Sequence, residues 1–259
     1  MIARRPIRAQ AARTQRTLLL PQWEEPMSHL QQNAIRNRIL AALAPDDFAV
    51  LESVRPEFRQ VLIQPNGPIE HVYVMERGIT SVLADPSEGR VEIGILGSEG
   101  MVGLPVLLGS QHSTHGFMVQ AEGEALQLPA VDTRKAYQRN LGINAVLGRL
   151  IHGFMLQIVQ TAYANATLNL EARLARWILM TQDRLQKDEL PLTHEFLSMM
   201  LAVRRPGVTA ATHVLEGAQM IRATRGHIKV LDRERLINLA DSTYGIAEAE
   251  YERLMAERS

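Results

Sequence analysis

The chain has 259 residues, enough for one large domain or two small ones, and 46% are apolar against 22% charged. That composition excludes wholesale disorder. Lys plus Arg and Asp plus Glu each number 28, so the formal net charge is zero and any affinity for a polyanion must come from a local patch. Cysteine is absent, which excludes disulfides, thiolate zinc sites, cysteine-ligated iron–sulfur clusters and cysteine nucleophiles. It suits a reducing cytoplasm, the expected location.

Residues 1–20 hold Arg4, Arg5, Arg8, Arg13 and Arg16 and no acid. Leu18-Leu19-Leu20 is too short for the apolar core of a signal peptide. Residues 1–30 are therefore expected as a solvated, poorly ordered arm, with a transit peptide as the alternative reading. Met27 precedes the first clear helical pattern and offers an alternative start, which would make residues 1–26 an extension.

Asn33 to Leu43 sets Ile35, Ile39, Leu40 and Leu43 at helical spacing. Pro45 ends that helix, and Asp46-Asp47 open a second short one through about Ser53. The pattern then changes to short β-rich runs. Val61–Ile63 precedes the turn Gln64-Pro65-Asn66-Gly67. His71–Met75 and Ile79–Leu83 flank Arg77-Gly78. Pro86-Ser87-Glu88-Gly89 reads as a hairpin turn before Val91–Ile95, and Phe117–Ala121 and Ala125–Leu128 follow. Such regular punctuation predicts a small antiparallel barrel or jelly roll. The most apolar stretch, Ile93 to Gly109, contains Ser98, Glu99, Pro105 and repeated glycines. It cannot span a membrane as a helix, and no membrane partner is expected.

From Val131 the period is helical. Leu147, Ile151, Phe154, Ile158 and Thr161 recur in a heptad-like seam, the spacing that keeps one stripe against a partner helix and predicts a homodimer. Packing of the same stripe on the chain's own barrel is the alternative. Asn169 can cap the next helix, which runs through Leu174, Trp177, Ile178 and Leu185, with Glu171 in its first turn. The break near Asn165–Asn169 is a hinge between two domains.

Thr193 to Thr209 reads as helix, tight turn, helix. Phe196, Leu197, Met200 and Leu201 form one apolar face, Ala202-Val203 makes the turn, and Val208, Ala211, Thr212 and Leu215 continue the second helix. That helix starts near Arg204, which sets two guanidiniums at its N-terminus, where a helix-turn-helix presents side chains to the major groove. A hairpin follows near Arg225-Gly226. Between Thr193 and Arg233 the cations Arg204, Arg205, Arg222, Arg225, Lys229 and Arg233 outnumber Glu195, Glu216 and Asp232, and a basic patch of this kind suits phosphate contact.

The whole arrangement over residues 31–245 resembles the Crp/Fnr (catabolite-activator/fumarate–nitrate) transcription regulators. The most specific stretches are Met199 to Thr209 and Ile221 to Arg233. Val72-Tyr73, Gly78, Gly100-Met101-Val102-Gly103 and Val119-Gln120 add to the likeness. The resemblance implies an α+β chain with an N-terminal jelly roll similar to cyclic-nucleotide-binding domains (residues 31–139). A dimerisation helix (140–167), a winged helix-turn-helix (168–245) and a C-terminal helix or tail (246–259) would follow. Double-stranded DNA with an inverted-repeat operator, a second copy of the chain and RNA polymerase are the implied partners. Candidate DNA-binding residues are Thr193, His194, Arg204, Arg205, Pro206, Thr209, Ala210, His213, Arg225, His227 and Lys229. Arg205 falls on the family's base-reading arginine. Pro206 stands where a base-contacting glutamate is common and Ala210 replaces another long reader, so a different operator is implied. Arg204 replaces a capping Ser or Thr. The other reading is a ligand-binding or protein-interaction β-roll protein whose helix-turn-helix does not bind DNA.

Gly94, Gly97, Gly100 and Gly103 recur every third residue, as in loops that cradle phosphate. Cyclic-nucleotide-binding members resemble Gly-Glu-Leu here, then Arg-Ser-Ala or Arg-Thr-Ala. In this chain Gly103 leads into Leu104-Pro105, Gln111 to His115 lacks an arginine, and Ile158 and Val159 replace the base-contacting hydroxyls. The expected effector is therefore not cyclic AMP, or there is none, and no cofactor is assigned. His71, His112, His115 and His152 are available as haem ligands, but a lone histidine is more often an ordinary polar residue. His112-x-x-His115 has no nearby carboxylate, so no metal is expected. His194-Glu195 lacks the second histidine of a zincin, Ser198 standing there, and no G-x-S-x-G occurs, so no enzyme is expected.

Overall fold

The computed structural model describes Asn37, residues 51–84 and residues 90–256. The arm of residues 1–30, most of the helix predicted over Asn33–Leu43, the Asp46-Asp47 helix start and the turn Pro86–Gly89 lie outside the described residues.

The short β-rich runs build two antiparallel sheets. One orders β1 (Glu52–Val54), β10 (Ala125–Pro129), β4 (His71–Met75) and β7 (Met101–Val102). The other orders β2 (Val61–Ile63), β9 (Gly116–Ala121), β5 (Ile79–Ala84) and β6 (Val91–Leu96). β3 (Gly67–Pro68) pairs with β8 (His112–Ser113). Glu52–Val54, expected to end a helix, instead pairs with Gln127, Leu126 and Ala125. A segment this short takes its conformation from the strand edge beside it, not from its own propensity. Val72, Val74, Val82, Val119 and Leu126 are buried in the roll.

α1 (Ala130–Arg139) stops at Asn140, whose side chain accepts from Gly142 N at 2.9 Å and Ile143 N at 3.2 Å to start α2 (Leu141–Thr167). Among the described residues α2 is the one helix long and apolar enough to cross a membrane by length and composition, with 28% of its most apolar window buried. Its inward stripe is Ile143, Leu147, Leu150, Gly153, Gln157, Thr161 and Ala164. The predicted seam is thus divided. Leu147 and Thr161 are buried within the chain, and Ile151, Phe154 and Ile158 are half-buried. Its exposed large apolar side chains are Leu141 at the start and Met155, Val159 and Tyr163 further along.

The interruption between helices falls at Leu168-Asn169, and Asn169 Oδ1 accepts from Ala172 N at 2.9 Å to cap α3 (Leu170–Leu185). Next come β11 (Glu189–Leu190), α4 (His194–Leu201), α5 (Arg205–Gly217), the hairpin β12 (Ile221–Thr224) and β13 (His227–Val230), α6 (Arg233–Ala240) and α7 (Ile246–Ala256). α7 folds back on α2, and a Cβ added at Gly153 would meet the Tyr251 ring at 3.3 Å. One apolar core runs from Ile79, Leu83, Ile95 and Met118 of the roll into Trp177, Phe196, Met200 and Leu236.

Candidate nucleic-acid interface

α4 begins where Thr193 Oγ1 accepts from Phe196 N at 3.2 Å, so Thr193 serves first as a cap. Phe196, Leu197, Met200 and Leu201 are its buried face, as the spacing predicts. Ala202, in the left-handed region at φ 53°, makes the turn. Arg204 is the N-cap of α5 and makes no side-chain capping bond, while Pro206 occupies the first turn, where a missing N–H is not needed.

Val208, Ala211, Thr212 and Leu215 turn inward. The opposite face carries Arg205, Thr209 and His213 at intervals of one turn, with Pro206 and Ala210 beside them. Arg205 is 71% exposed and lies 4.0 Å from Glu195. His194 Nδ1 stands 3.4 Å from Thr209 Oγ1. The hydrogen-bonding groups on this face are therefore one guanidinium, one hydroxyl and one imidazole. Pro206 and Ala210 contribute shape only.

The β12–β13 hairpin turns at Arg225-Gly226. Its register sets Arg222 opposite Lys229 and Thr224 opposite His227, with Ala223 and Ile228 on the other face. Arg222, Arg225, His227 and Lys229 are exposed, a row of donors suited to phosphate. Arg222, outside the candidate set, shares the outward face of Lys229, a placement that strand alternation signals. Arg233 does not join this row. It donates to Gln182 Oε1 at 2.6 Å, Asp183 Oδ1 at 2.7 Å and Tyr244 Oη at 2.6 Å. The sequence tally counted its charge, but the fold uses it to hold α6 to α3.

The recognition unit is docked on the roll. Glu195 pairs with Arg59 at 2.6 Å. The Phe58 and Phe196 rings are 5.5 Å apart, with the Arg59 guanidinium over both. Gln120 Nε2 meets Met200 Sδ at 3.6 Å. Beneath this seam Glu92 is 1% exposed, and neither carboxylate oxygen has a hydrogen-bond partner. Ser81, alongside, gives its proton to Gln120 Oε1 at 3.2 Å. Burial pushes the Glu92 carboxyl up to about 8, against the opposing pull of the Arg184 charge.

In the roll, Gly94 serves packing. A Cβ there would meet the Phe154 ring at 3.0 Å and Gln157 Oε1 at 3.1 Å. Gln157 bonds both Ile95 N (2.9 Å) and Ile95 O (3.1 Å), fixing α2 to β6. After Gly103 the chain makes a 3-10 turn, Leu104–Val106, with Leu104 and Val106 buried, so an apolar turn stands where the carboxylate of the cyclic-nucleotide pattern would be. Ile158 is half-buried and Val159 exposed. Among the described residues no three His, Asp or Glu side chains converge as a metal site. His115 contacts Thr114 Oγ1 at 3.0 Å, and His152 lies 3.9 Å from Glu250.

The roll matches the family model of the cyclic nucleotide-binding domain over residues 55–140, and the C-terminal part matches the Crp-like helix-turn-helix domain over residues 172–239. The chain belongs to the Crp/Fnr family. Solved Crp/Fnr structures share the fold of this Crp/Fnr chain at low identity. A CRP/FNR-family transcriptional regulator from Thermus thermophilus is 21% identical, with TM-score 0.63, and the match covers 74% of this chain and all (100%) of that one. FixK2 from Bradyrhizobium japonicum is 16% identical, with TM-score 0.65 and coverage of 74% and 98%. A crp/fnr-family protein from Eubacterium rectale is 15% identical, with TM-score 0.63 and coverage of 79% and 98%. No curated protein matches the sequence. This Crp/Fnr chain is thus of the transcription-regulator type, with a helix-turn-helix DNA-binding domain.

Proposed function

We propose that the chain binds an inverted-repeat DNA operator as a homodimer and controls transcription there, without catalysing a reaction. The observation that carries this is the exposed face of α5, with Arg205, Thr209 and His213 in line and the cationic hairpin beside it. A two-fold dimer sets two such helices about 34 Å apart, one turn of DNA. Met155, Val159 and Tyr163 on α2 supply an exposed apolar surface for the second copy. The reading includes a cytoplasmic location and contact with RNA polymerase at the promoter. It assigns contact roles to Thr193, His194, Arg204, Arg205, Pro206, Thr209, Ala210, His213, Arg225, His227 and Lys229.

The effector is not a cyclic nucleotide. The turn after Gly103 is apolar, and an anionic phosphate needs a cation that Gln111 to His115 does not supply. Selection from a random DNA pool, followed by gel shift against random competitor, tests the main reading. A palindromic motif retained under competition supports it. Indifference to sequence, or no binding, favours the interaction-module alternative. Calorimetry with cyclic AMP and cyclic GMP should show no saturable heat.

A further inference from the structure

A cavity of about 700 Å³ opens where the loop after β6, the middle of α2, the end of α3 and α7 meet. That volume lies in the range of small-molecule sites, and the place is a joint between sensor, helix and DNA-binding parts. Leu96, Phe154 and Tyr251 provide apolar and aromatic wall. The lining carboxylates are Glu99, Asp183, Glu248 and Glu252, and the one cation among the described lining residues is Arg184.

That cation is already engaged. Arg184 is 7% exposed, with Nε 2.7 Å from Glu99 Oε1 and Nη1 donating to Met180 O at 2.9 Å. Its stem lies against Gly97, where a Cβ would come within 2.8 Å of Arg184 Cγ. Asp183 is held by Arg233 and Tyr244, so an incoming anion would meet Glu99, Glu248 and Glu252 and no available guanidinium in the lining. A cation would meet opposite charge in a partly desolvated setting, where the attraction exceeds that in water, with aromatic faces for its body.

A second feature lies behind the wall. Glu92, buried and without a hydrogen-bond partner, is acted on by the charge of Arg184. Arg184 therefore holds one carboxylate, Glu99, while its charge also acts on Glu92, and an unpaired buried acid is costly. Glu92 faces Leu83 across the ladder, and Leu83 belongs to the core that continues into α3 and α4.

We propose that this cavity is an effector site for an organic cation, an amine on an apolar or aromatic body, which takes Glu99 from Arg184 and so releases Arg184 from that pair. Because α3 carries Arg184 and packs on α4, α5 and α6, the exchange reaches the recognition unit. The consequence for DNA rests on the regulator reading; the binding itself does not.

Calorimetry on the full-length, DNA-free protein provides the test, with phenethylamine as the probe and 3-phenylpropionate as a similar body of opposite charge. The amine should bind saturably and about tenfold or more tighter than the acid. Glu99→Gln should weaken the amine about tenfold, and Arg184→Met, which removes the competing cation, should tighten it. Tightening is a change that a poorly folded variant would not give. Equal binding of the acid, no saturable amine binding up to ~10 mM, or weakening in Arg184→Met overturns the proposal. In a separate arm the amine should change affinity for the selected operator, and no change overturns the coupling to Arg184. A protein that binds no DNA would instead overturn the regulator reading while leaving the calorimetric result intact.

Discussion

At the scale of single residues, Arg205 and Lys229 make opposite predictions. Arg205 leaves the first turn of α5 largely in solvent, with Glu195 at 4.0 Å, so its fork is available for the two acceptors on a guanine edge. Arg205→Ala should cost about 1–3 kcal/mol per half-site and relax the preference at one base pair. Lys229, on the outward face of the hairpin, should contact phosphate, so Lys229→Ala should weaken all sequences alike and flatten the salt dependence. Titrations on matched and base-substituted operators at two salt concentrations separate these outcomes. Glu92 predicts a pH effect. Unfolded, it loses its proton near the ordinary value of 4.5; folded, only near 8. Between those values the unfolded state binds fewer protons, so stability falls as pH rises and levels off above the folded value. The isosteric Glu92→Gln should be more heat-stable than the parent, by a margin that widens from acid pH up to about 8. Scanning calorimetry across that range checks it, and an unchanging margin would refute it. The exposed place of Arg205 at the start of α5 was legible in the sequence because a helix-turn-helix is a local pattern of apolar spacing and a tight turn. Glu92 was not, because strand alternation tells which side a residue faces but not what later covers that side.

At the scale of elements, α2 shows how a single apolar periodicity can hide two surfaces. The sequence seam runs through Leu147 and Thr161, yet these are 2% and 5% exposed within one chain. The roll and α7 already occupy the inward stripe, and the side chains left for a partner include Met155 and Val159, both 57% exposed, and Tyr163. A charge on this stripe, as in Val159→Arg or Met155→Glu, should shift the protein to monomer at micromolar concentration while leaving its helicity unchanged. Light scattering and circular dichroism read the two quantities. A dimer that survives both substitutions would place the interface elsewhere. Element existence was otherwise well marked: Val61–Ile63 and His71–Met75 form as their turn signals suggest, and Asn169 caps α3. The segment at Glu52–Val54 was misread because its pairing partner, β10, lies far along the chain.

At the scale of the whole molecule, the seam between roll and recognition unit is apolar at its centre and ionic at its edge. Phe58 against Phe196, Gln120 against Met200 and the Arg59–Glu195 pair join the two. None of these contacts was readable in the sequence, since each joins residues far apart in order and only the folded sheet brings them together. Because the core is continuous across the seam, heating should unfold the described body in a single transition. Phe58→Ala should lower the midpoint of that whole transition instead of splitting off an early step. Two resolved calorimetric peaks would show that the parts unfold independently.

The same continuity bears on portability. Grafting residues 168–245 onto a foreign dimerising scaffold would bare Phe196 and Met200, which the roll now helps to cover. Such a transplant would need its own polar resurfacing at those two positions before it could stay soluble, whereas the exposed face of α5 would travel with it unchanged.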